Sequence, residues 1–290
     1  MIPTFDKRIE GPSQTNKQYK KEYMKDLTKY THRYSITAAD MDTRYRMTPS
    51  AVLLYFQDCW ARHMACLNLA AFDVVKQNLL WVVTEFNAWF EPQTALWSDD
   101  IDVTVWNSEM SSLRLYTDFR IHKANGTEVA HGYACWTLLD TEAHRLTPNT
   151  SLASQISVLP EMTSLSHKKM RFPANGTPVH QIEHSVNTMD LDFNKHVNNR
   201  AYVSIAMQSA NEDFMDAYAI RCLTIHWLKE TFLGDTLLCQ LQRLPDETDS
   251  TLFKYLHTIS RNDGKIAAQV YSEWVPRTIQ LDASELAPRI

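Results

Sequence analysis

Glycine is scarce in this chain, at six of 290 residues. The six form no cluster that could press backbone amides against a phosphate, which sets aside nucleotide-dependent chemistry. Long apolar runs are missing as well. Stretches such as Leu79 to Val83 fall far short of the roughly 18 to 20 residues that a helical membrane span needs, so no membrane span is expected. The five cysteines (Cys59, Cys66, Cys135, Cys222, Cys239) are odd in number and scattered, with no Cys-x-x-Cys pair. That argues against a zinc site or a disulfide framework and reads as buried thiols. The N-terminal residues lack the charged, apolar, small-residue succession of a secretory signal. Their acidic members Asp6, Glu10, Glu22 and Asp26 speak against an organellar transit peptide, so a cytoplasmic location is expected. Asn125-Gly126 and Asn175-Gly176 read as turns rather than glycosylation sites.

One metal pattern begins without finishing. Asp190-x-Asp192-x-Asn194 opens like a calcium loop, but Lys195 stands where the loop needs glycine and Ala201 where it needs glutamate. No metal and no cofactor are expected. The net charge is −5, yet residues 1–34 hold eight Lys/Arg against four Asp/Glu, leaving 21 against 30 elsewhere. A basic extension over residues 1–31 on an acidic body suggests a solvated arm, or a docking surface for an acidic partner, and no nucleic-acid role.

The chain repeats itself. Met41-Asp42-Thr-Arg44-Tyr-Arg46 and Leu191-Asp192-Phe-Asn194-Lys-His196 each follow a short apparent strand and open a helical pattern. Val52, Phe56, Cys59, Trp60, Met64 and Leu67 fall at helical spacing, and a second, alanine-rich helix is predicted from Val197 to about Tyr218. Alternating strands follow, as in Ile101, Val103, Val105 and in Leu113 to Ile121, whose second face is Arg114, Tyr116, Asp118 and Arg120. Gly126 and Gly264 mark equivalent turns, Trp136 and Trp274 equivalent strand ends, both at an offset of 138 residues. A Pro- and Ser/Thr-rich stretch separates the copies. The reading is an α+β fold of two tandem repeats, each a long helix wrapped by a curved antiparallel sheet, at 32–145 and 181–278, with a linker at 146–180 and a tail at 279–290. Such repeats pair as identical subunits would, so the chain forms a pseudo-twofold unit by itself; homodimerisation of the whole is compatible with this.

Asp192-Phe-Asn194-Lys-His196-Val-Asn198-Asn199-Arg-Ala-Tyr202 concentrates an acid, an imidazole and three carboxamides at a helix entrance. If the approach is extended, alternation projects Asp192, Asn194 and His196 to one side. Asp192 alone is a plausible N-cap, with Asn198 or Asn199 as rivals, but capping requires neither Asn194 nor His196. The first copy has Arg44 and Arg46 in their places. Architecture therefore does not demand those two residues.

With Asp-x-Asn-x-His-Val-Asn-Asn-x-x-Tyr at the helix entrance, and His226-Trp-Leu-Lys-Glu230-Thr-Phe-Leu-Gly234-Asp235 downstream, the chain resembles the tandem, double-hotdog acyl-acyl carrier protein thioesterases over roughly residues 32 to 276. The resemblance implies hydrolysis of a fatty acyl thioester on the carrier's phosphopantetheine arm. It implies Asp192, Asn194, His196 and Glu230 as the catalytic set, with acyl carrier protein as partner. Some members carry cysteine directly after the catalytic glutamate; here Thr231 stands there, which excludes a thiol nucleophile at this point. Water attack assisted by these residues suffices for an activated thioester. One assignment has Glu230 and the Asn194 amide activating the water, His196 polarising the carbonyl or protonating the leaving thiol, and Asp192 orienting its neighbours; exchange between Asp192 and Glu230 stays open. Asn198 and Asn199 are candidate substrate contacts. By the same resemblance the first repeat houses the acyl tail, among Phe56, Trp60, Met64, Trp81, Val83 and Trp136. An acyl-CoA thioesterase is the nearest alternative, and a basic rim of Lys168, Lys169, Arg171, Lys195 and Arg200 favours the acidic carrier. A non-catalytic acyl-thioester sensor is the alternative from another class.

Overall fold

Thr48 and Pro49 start the first long helix for local reasons: the Thr48 hydroxyl accepts the Ala51 amide at 3.1 Å, and proline at the first helical position gives up an amide that would have no partner. This helix, α1, spans Pro49–Cys66, and Asn68 in the left-handed region (φ 59°) follows its end. In the computed structural model, residues 28–92, 94–149, 152–173, 176–245 and 251–277 are described. Most of the basic extension, the Asn175 turn and the C-terminal tail lie outside them.

A one-turn helix α2 (Ala71–Val74) follows, then in the second half α3 (Asn199–Gln208) and α4 (Glu212–Ala217). The single second helix expected from Val197 to Tyr218 is thus two. Ser209 turns its hydroxyl back onto the Ala206 carbonyl (2.7 Å), and Asn211 caps a new start by accepting the Phe214 amide (2.7 Å). Alanine-rich periodicity conceals such a break, because the interrupting residues Ser209-Ala210-Asn211 are themselves short.

The strands are β1 (Lys29–Ser35), β2 (Leu79–Phe90), β3 (Asp100–Met110), β4 (Leu115–Lys123), β5 (Glu128–Asp140), β6 (Arg145–Thr147), β7 (Thr177–Ser185), β8 (Tyr218–Trp227), β9 (Thr236–Leu244), β10 (Phe253–Arg261) and β11 (Ile266–Pro276). They form one antiparallel sheet in the order β1-β3-β4-β5-β2-β8-β11-β10-β9-β7, with β6 on β5. The order β1-β3-β4-β5-β2 is mirrored by β7-β9-β10-β11-β8, and the halves join where Glu85–Trp89 of β2 pairs with Cys222–His226 of β8. This is a double hotdog, with α1 and α3 in contact on the inner face. The first four residues of β7 (177–180) lie inside the stretch read as linker; Pro178 is tolerated because β7 is an edge strand that, among the described residues, pairs only with β9.

Inner-face residues Leu115, Phe119, Ala134 and Trp136 share one core with α1, while Tyr116, Tyr133 and Cys135 cluster on the opposite face under Leu165. The outer face of β4 is therefore not the half-solvated surface its sequence suggests. Asp118 is fully buried there. Its carboxylate accepts the Ser164 amide (2.5 Å) and meets His167 Nε2 (2.9 Å), and the Ser108 hydroxyl donates to it. The linker crosses this face and is clamped to it.

Candidate active site

The turn from Asp192 to His196 is built the same way as that from Asp42 to Arg46. In each, the aspartate amide donates to the carbonyl four residues on (2.8 Å in both), and the residue before that carbonyl, Lys195 or Tyr45, takes a positive φ of 64° or 58°. Asp192 Oδ1 accepts the amides of Asn194 (2.8 Å) and His196 (3.2 Å); Asp42 Oδ1 accepts those of Arg44 (2.8 Å) and Arg46 (2.9 Å). The expected extended approach is thus a tight turn, closed by Leu191–Val197 and Met41–Met47 bridges. Side-chain alternation along a strand is not what gathers the polar groups.

Asn198 occupies the N-cap of α3, its Oδ1 accepting the Arg200 amide at 3.0 Å, the same place Thr48 holds before α1; Asn199 is the first helical residue. Glu230 lies beyond the end of β8, in a connecting segment rather than on the strand. The amides of Leu228 and Lys229 both donate to the Ala267 carbonyl (2.8 and 3.1 Å), which turns the chain out of the ladder. Val197 then donates to the Thr231 carbonyl (3.0 Å), and a His196–Phe232 bridge brings this segment against the turn.

The result places His196 Nδ1 3.8 Å from Glu230 Oε1. That is an ion-pair distance, too long for a hydrogen bond. The imidazole is mostly buried, with Phe232 edge-on to it at 5.0 Å between ring centres, while the Glu230 carboxylate is half exposed. Asn194 Oδ1 and His196 Nε2 are both buried and have no hydrogen-bond partner among the described residues. Buried polar atoms are rarely left so, and where they are the unmet capacity points to a ligand or a reacting group.

Two supporting residues escape sequence reasoning. Arg261 Nη1 donates to the Glu230 carbonyl (2.9 Å), and its Nε is 3.7 Å from both Asp235 and Asp263. Tyr202 shares a short hydroxyl bond with Thr231, which is fully buried. Tyr202 stood in the motif without a role; for Arg261, thirty-one residues beyond Glu230, no local signal exists.

Phe56, Trp60, Met64, Trp81 and Trp136 are all buried on the inner face of the first repeat. Trp60 and Trp136 stack at 3.6 Å between ring centres, Trp81 meets Trp60 edge-on at 5.8 Å and donates its indole N–H to the Leu69 carbonyl (2.9 Å), and Phe56 lies 6.3 Å from Trp136. The residues named for the acyl tail therefore form one aromatic cluster. The two halves also touch at the turn, where Phe72 stacks on Phe193 at 6.0 Å. Of the basic residues read as a rim, Lys168, Lys169 and Arg171 are on the linker; Lys195 and Arg200 are at the α3 entrance, where Arg200 Nε reaches Ser50 Oγ of α1 (3.4 Å).

The sequence pattern of the acyl-ACP thioesterase N-terminal domain matches residues 27–151, and that of the acyl-ACP thioesterase C-terminal domain matches residues 177–276. Among curated proteins the chain is 19% identical over 279 residues to an acyl-[acyl-carrier-protein] hydrolase, named as chloroplastic, of Cuphea viscosissima, covering 88% of this chain and 64% of the relative. It is 20% identical over 277 residues to the chloroplastic palmitoyl-acyl carrier protein thioesterase of Arabidopsis thaliana, covering 86% and 64%. The chain thus spans slightly under two thirds of these relatives' length. Its fold is similar to a crystal structure described as an oleoyl thioesterase from Lactobacillus plantarum (TM-score 0.76, 20% identity, 86% of this chain and 96% of that one). It is also similar to that of a 12:0-ACP thioesterase from Umbellularia californica (TM-score 0.74, 17% identity, 86% and 94%).

Proposed function

The chain belongs to the acyl-ACP thioesterase family, and from that premise we propose that it hydrolyses fatty acyl thioesters of acyl carrier protein to the free acid and the carrier thiol. The observation that carries the reading is the pair of buried, unpartnered atoms, Asn194 Oδ1 and His196 Nε2, on one turn beside the Glu230 carboxylate. With the ring proton on Nδ1, the nitrogen that faces Glu230, Nε2 presents its lone pair to the site. This favours His196 over Glu230 as the base. Nε2 takes a proton from a water that Asn194 Oδ1 also holds, the water oxygen bonds to the thioester carbon, and the carbon–sulfur bond breaks. The imidazolium, stabilised by Glu230, returns its proton to the departing sulfur. The 3.8 Å gap closes as the ring becomes charged, in keeping with looser catalytic contacts before substrate binds. Asp192 acts on the turn, not on the substrate. The α3 N-terminus adds positive potential near the carbonyl.

The carrier is favoured over coenzyme A by exposed apolar residues around the turn, Phe193, Phe232, Leu233 and Met189, interspersed with Lys195 and Lys229. A small thioester needs no such collar; an acidic protein surface does. The five free cysteines, four of them buried, suit a reducing compartment such as the cytoplasm. The aromatic cluster of the first repeat is the proposed receptor for the acyl tail. Hydrolysis of one acyl group presented on carrier and on coenzyme A tests the reading: carrier substrate turns over faster at equal concentration. Equal rates favour an acyl-CoA thioesterase, and binding without turnover favours a sensor.

A further inference from the structure

On the outer face of the sheet, where the two repeats meet, a cavity of about 100 Å³ has Glu85, Arg114, Cys135, Lys169 and His226 among its lining residues. Its floor is the β2–β8 seam, in which Glu85 pairs directly with His226. Both side chains are more than nine-tenths buried. Tyr133 donates its hydroxyl to Glu85 Oε1 at 2.7 Å. His226 Nε2 lies 3.6 Å from Glu85 Oε2, beyond hydrogen-bond reach, and has no hydrogen-bond partner among the described residues. The space exceeds the roughly 30 Å³ that one water occupies in the liquid.

The roof is the linker. His167 anchors it on one side through Asp118 and Glu109 (2.9 and 3.1 Å), and Phe172 anchors it on the other by packing on the His226 and Tyr271 rings (4.4 and 6.4 Å between centres). Lys169 lies between these anchors. Two cationic side chains, Arg114 and Lys169, thus border a space whose one carboxylate already accepts the Tyr133 hydroxyl. Burial pushes the Glu85 carboxyl up, but the adjacent His226 and the Tyr133 hydrogen bond outweigh that and leave it below the usual range, so it stays ionised against the two cationic side chains.

We propose that this cavity binds a small oxyanion, a carboxylate or a phosphate, held by Arg114 and Lys169 with His226 Nε2–H donating from the floor. An oxyanion supplies the acceptor that Nε2 lacks and the negative charge that the two cations favour, whereas a metal cation would meet two positive side chains. Because Lys169 belongs to the linker and His226 and Glu85 to different repeats, the bound anion ties three parts of the chain together.

The inference does not depend on the thioesterase reading, and the His196→Ala protein keeps the site. The test is calorimetric titration of the full chain at 25 °C, with inorganic phosphate and with acetate, at ionic strength held constant with sodium chloride, alongside thermal unfolding. Saturable binding of either anion, with a rise in Tm and at least tenfold weakening in both Arg114→Gln and Lys169→Met, supports the site. Response to phosphate alone assigns a phosphoryl ligand; response to acetate alone assigns a carboxylate. Arg114 and Lys169 are exposed, so both variants fold, and calorimetry reads binding apart from stability. Binding of neither anion, or equal binding by the variants, overturns it.

Discussion

Asp42 and Asp192 do the same work 150 residues apart: each carboxylate oxygen accepts the amides of the residues two and four ahead and fixes a turn whose fourth residue is left-handed. The turn is thus an architectural element of both repeats. Only the side chains it displays differ, Arg44 and Arg46 in one, Asn194 and His196 in the other.

If Asp192 serves the turn, Asp192→Asn, which keeps an acceptor oxygen, lowers turnover less than tenfold. Asp192→Ala removes the acceptor and destabilises the protein by about 1 kcal/mol, the range for losing such a cap. Asp42→Ala carries a similar stability loss with kcat unchanged. Urea unfolding and steady-state kinetics on the three variants read this directly; a hundredfold loss of kcat in Asp192→Asn would show that the carboxylate takes part in chemistry.

His196→Ala and Asn194→Ala each reduce turnover at least about a hundredfold, the scale of a lost base or water-binding group. Stability should not fall with it. Both substitutions delete a buried polar atom that has no hydrogen-bond partner among the described residues, so their urea midpoints stay at or above wild type. Glu230→Gln also lowers kcat, because the imidazolium loses its counter-charge. A variant that loses stability and activity in step would instead mark a structural residue.

His257 lies fully buried between Ser209 Oγ (2.8 Å from Nδ1) and Ser272 Oγ (2.9 Å from Nε2). Burial drives its pKa from 6.5 down to about 3. The unfolded chain therefore binds a proton below pH 6.5 that the folded chain refuses until about pH 3. Stability is complete above 6.5 and falls as pH drops through that window, by about 1.4 kcal/mol per pH unit from this group. Urea midpoints measured from pH 7 to pH 4 should decline in wild type and decline less steeply in His257→Gln.

His167 works with the opposite sign. Burial pushes its pKa down, but Asp118 and Glu109 outweigh that and hold it above the ordinary value. The clamp it provides is fully present below the unfolded pKa and is lost as pH rises through the folded one. Limited proteolysis of residues 160–173 should accelerate between pH 6 and pH 9 in wild type, and be fast at both in His167→Ala.

The pseudo-twofold fold was legible because each repeat leaves two independent marks, a polar helix entrance and a Gly-turn-to-Trp strand. What stayed hidden is instructive. Burial of Asp118 depends on the linker lying over β4, and nothing in the local alternation of Arg114, Tyr116, Asp118 and Arg120 encodes a cover that arrives some 45 residues later. The α3–α4 break is set by three short residues that periodicity cannot separate from helix. Glu230 sits past the end of β8 because the exit from the ladder is dictated by Ala267 on a neighbouring strand, which nothing local to Glu230 encodes. In the site, residue types were readable from the motif, but which oxygens and nitrogens are spent on the turn and which remain unpartnered is decided only in three dimensions.

The Trp60–Trp136 stack gives the proposed acyl receptor its measurable form. At 3.6 Å the rings are in full contact, and both indole N–H groups are buried without hydrogen-bond partners among the described residues, so an acyl tail seated here must pack along the cluster or displace one ring. Trp136→Leu removes the stack and opens space beside Phe56, lowering stability by about 3 kcal/mol. Each methylene that then gains burial contributes about 0.8 kcal/mol, so the optimum in a chain-length series of acyl carrier protein substrates shifts to longer chains in Trp136→Leu relative to wild type. The shift is graded, because one methylene supports only roughly 1 to 3 kcal/mol of discrimination. An unchanged profile in a folded Trp136→Leu protein would assign these aromatics to the core alone and move the acyl receptor elsewhere.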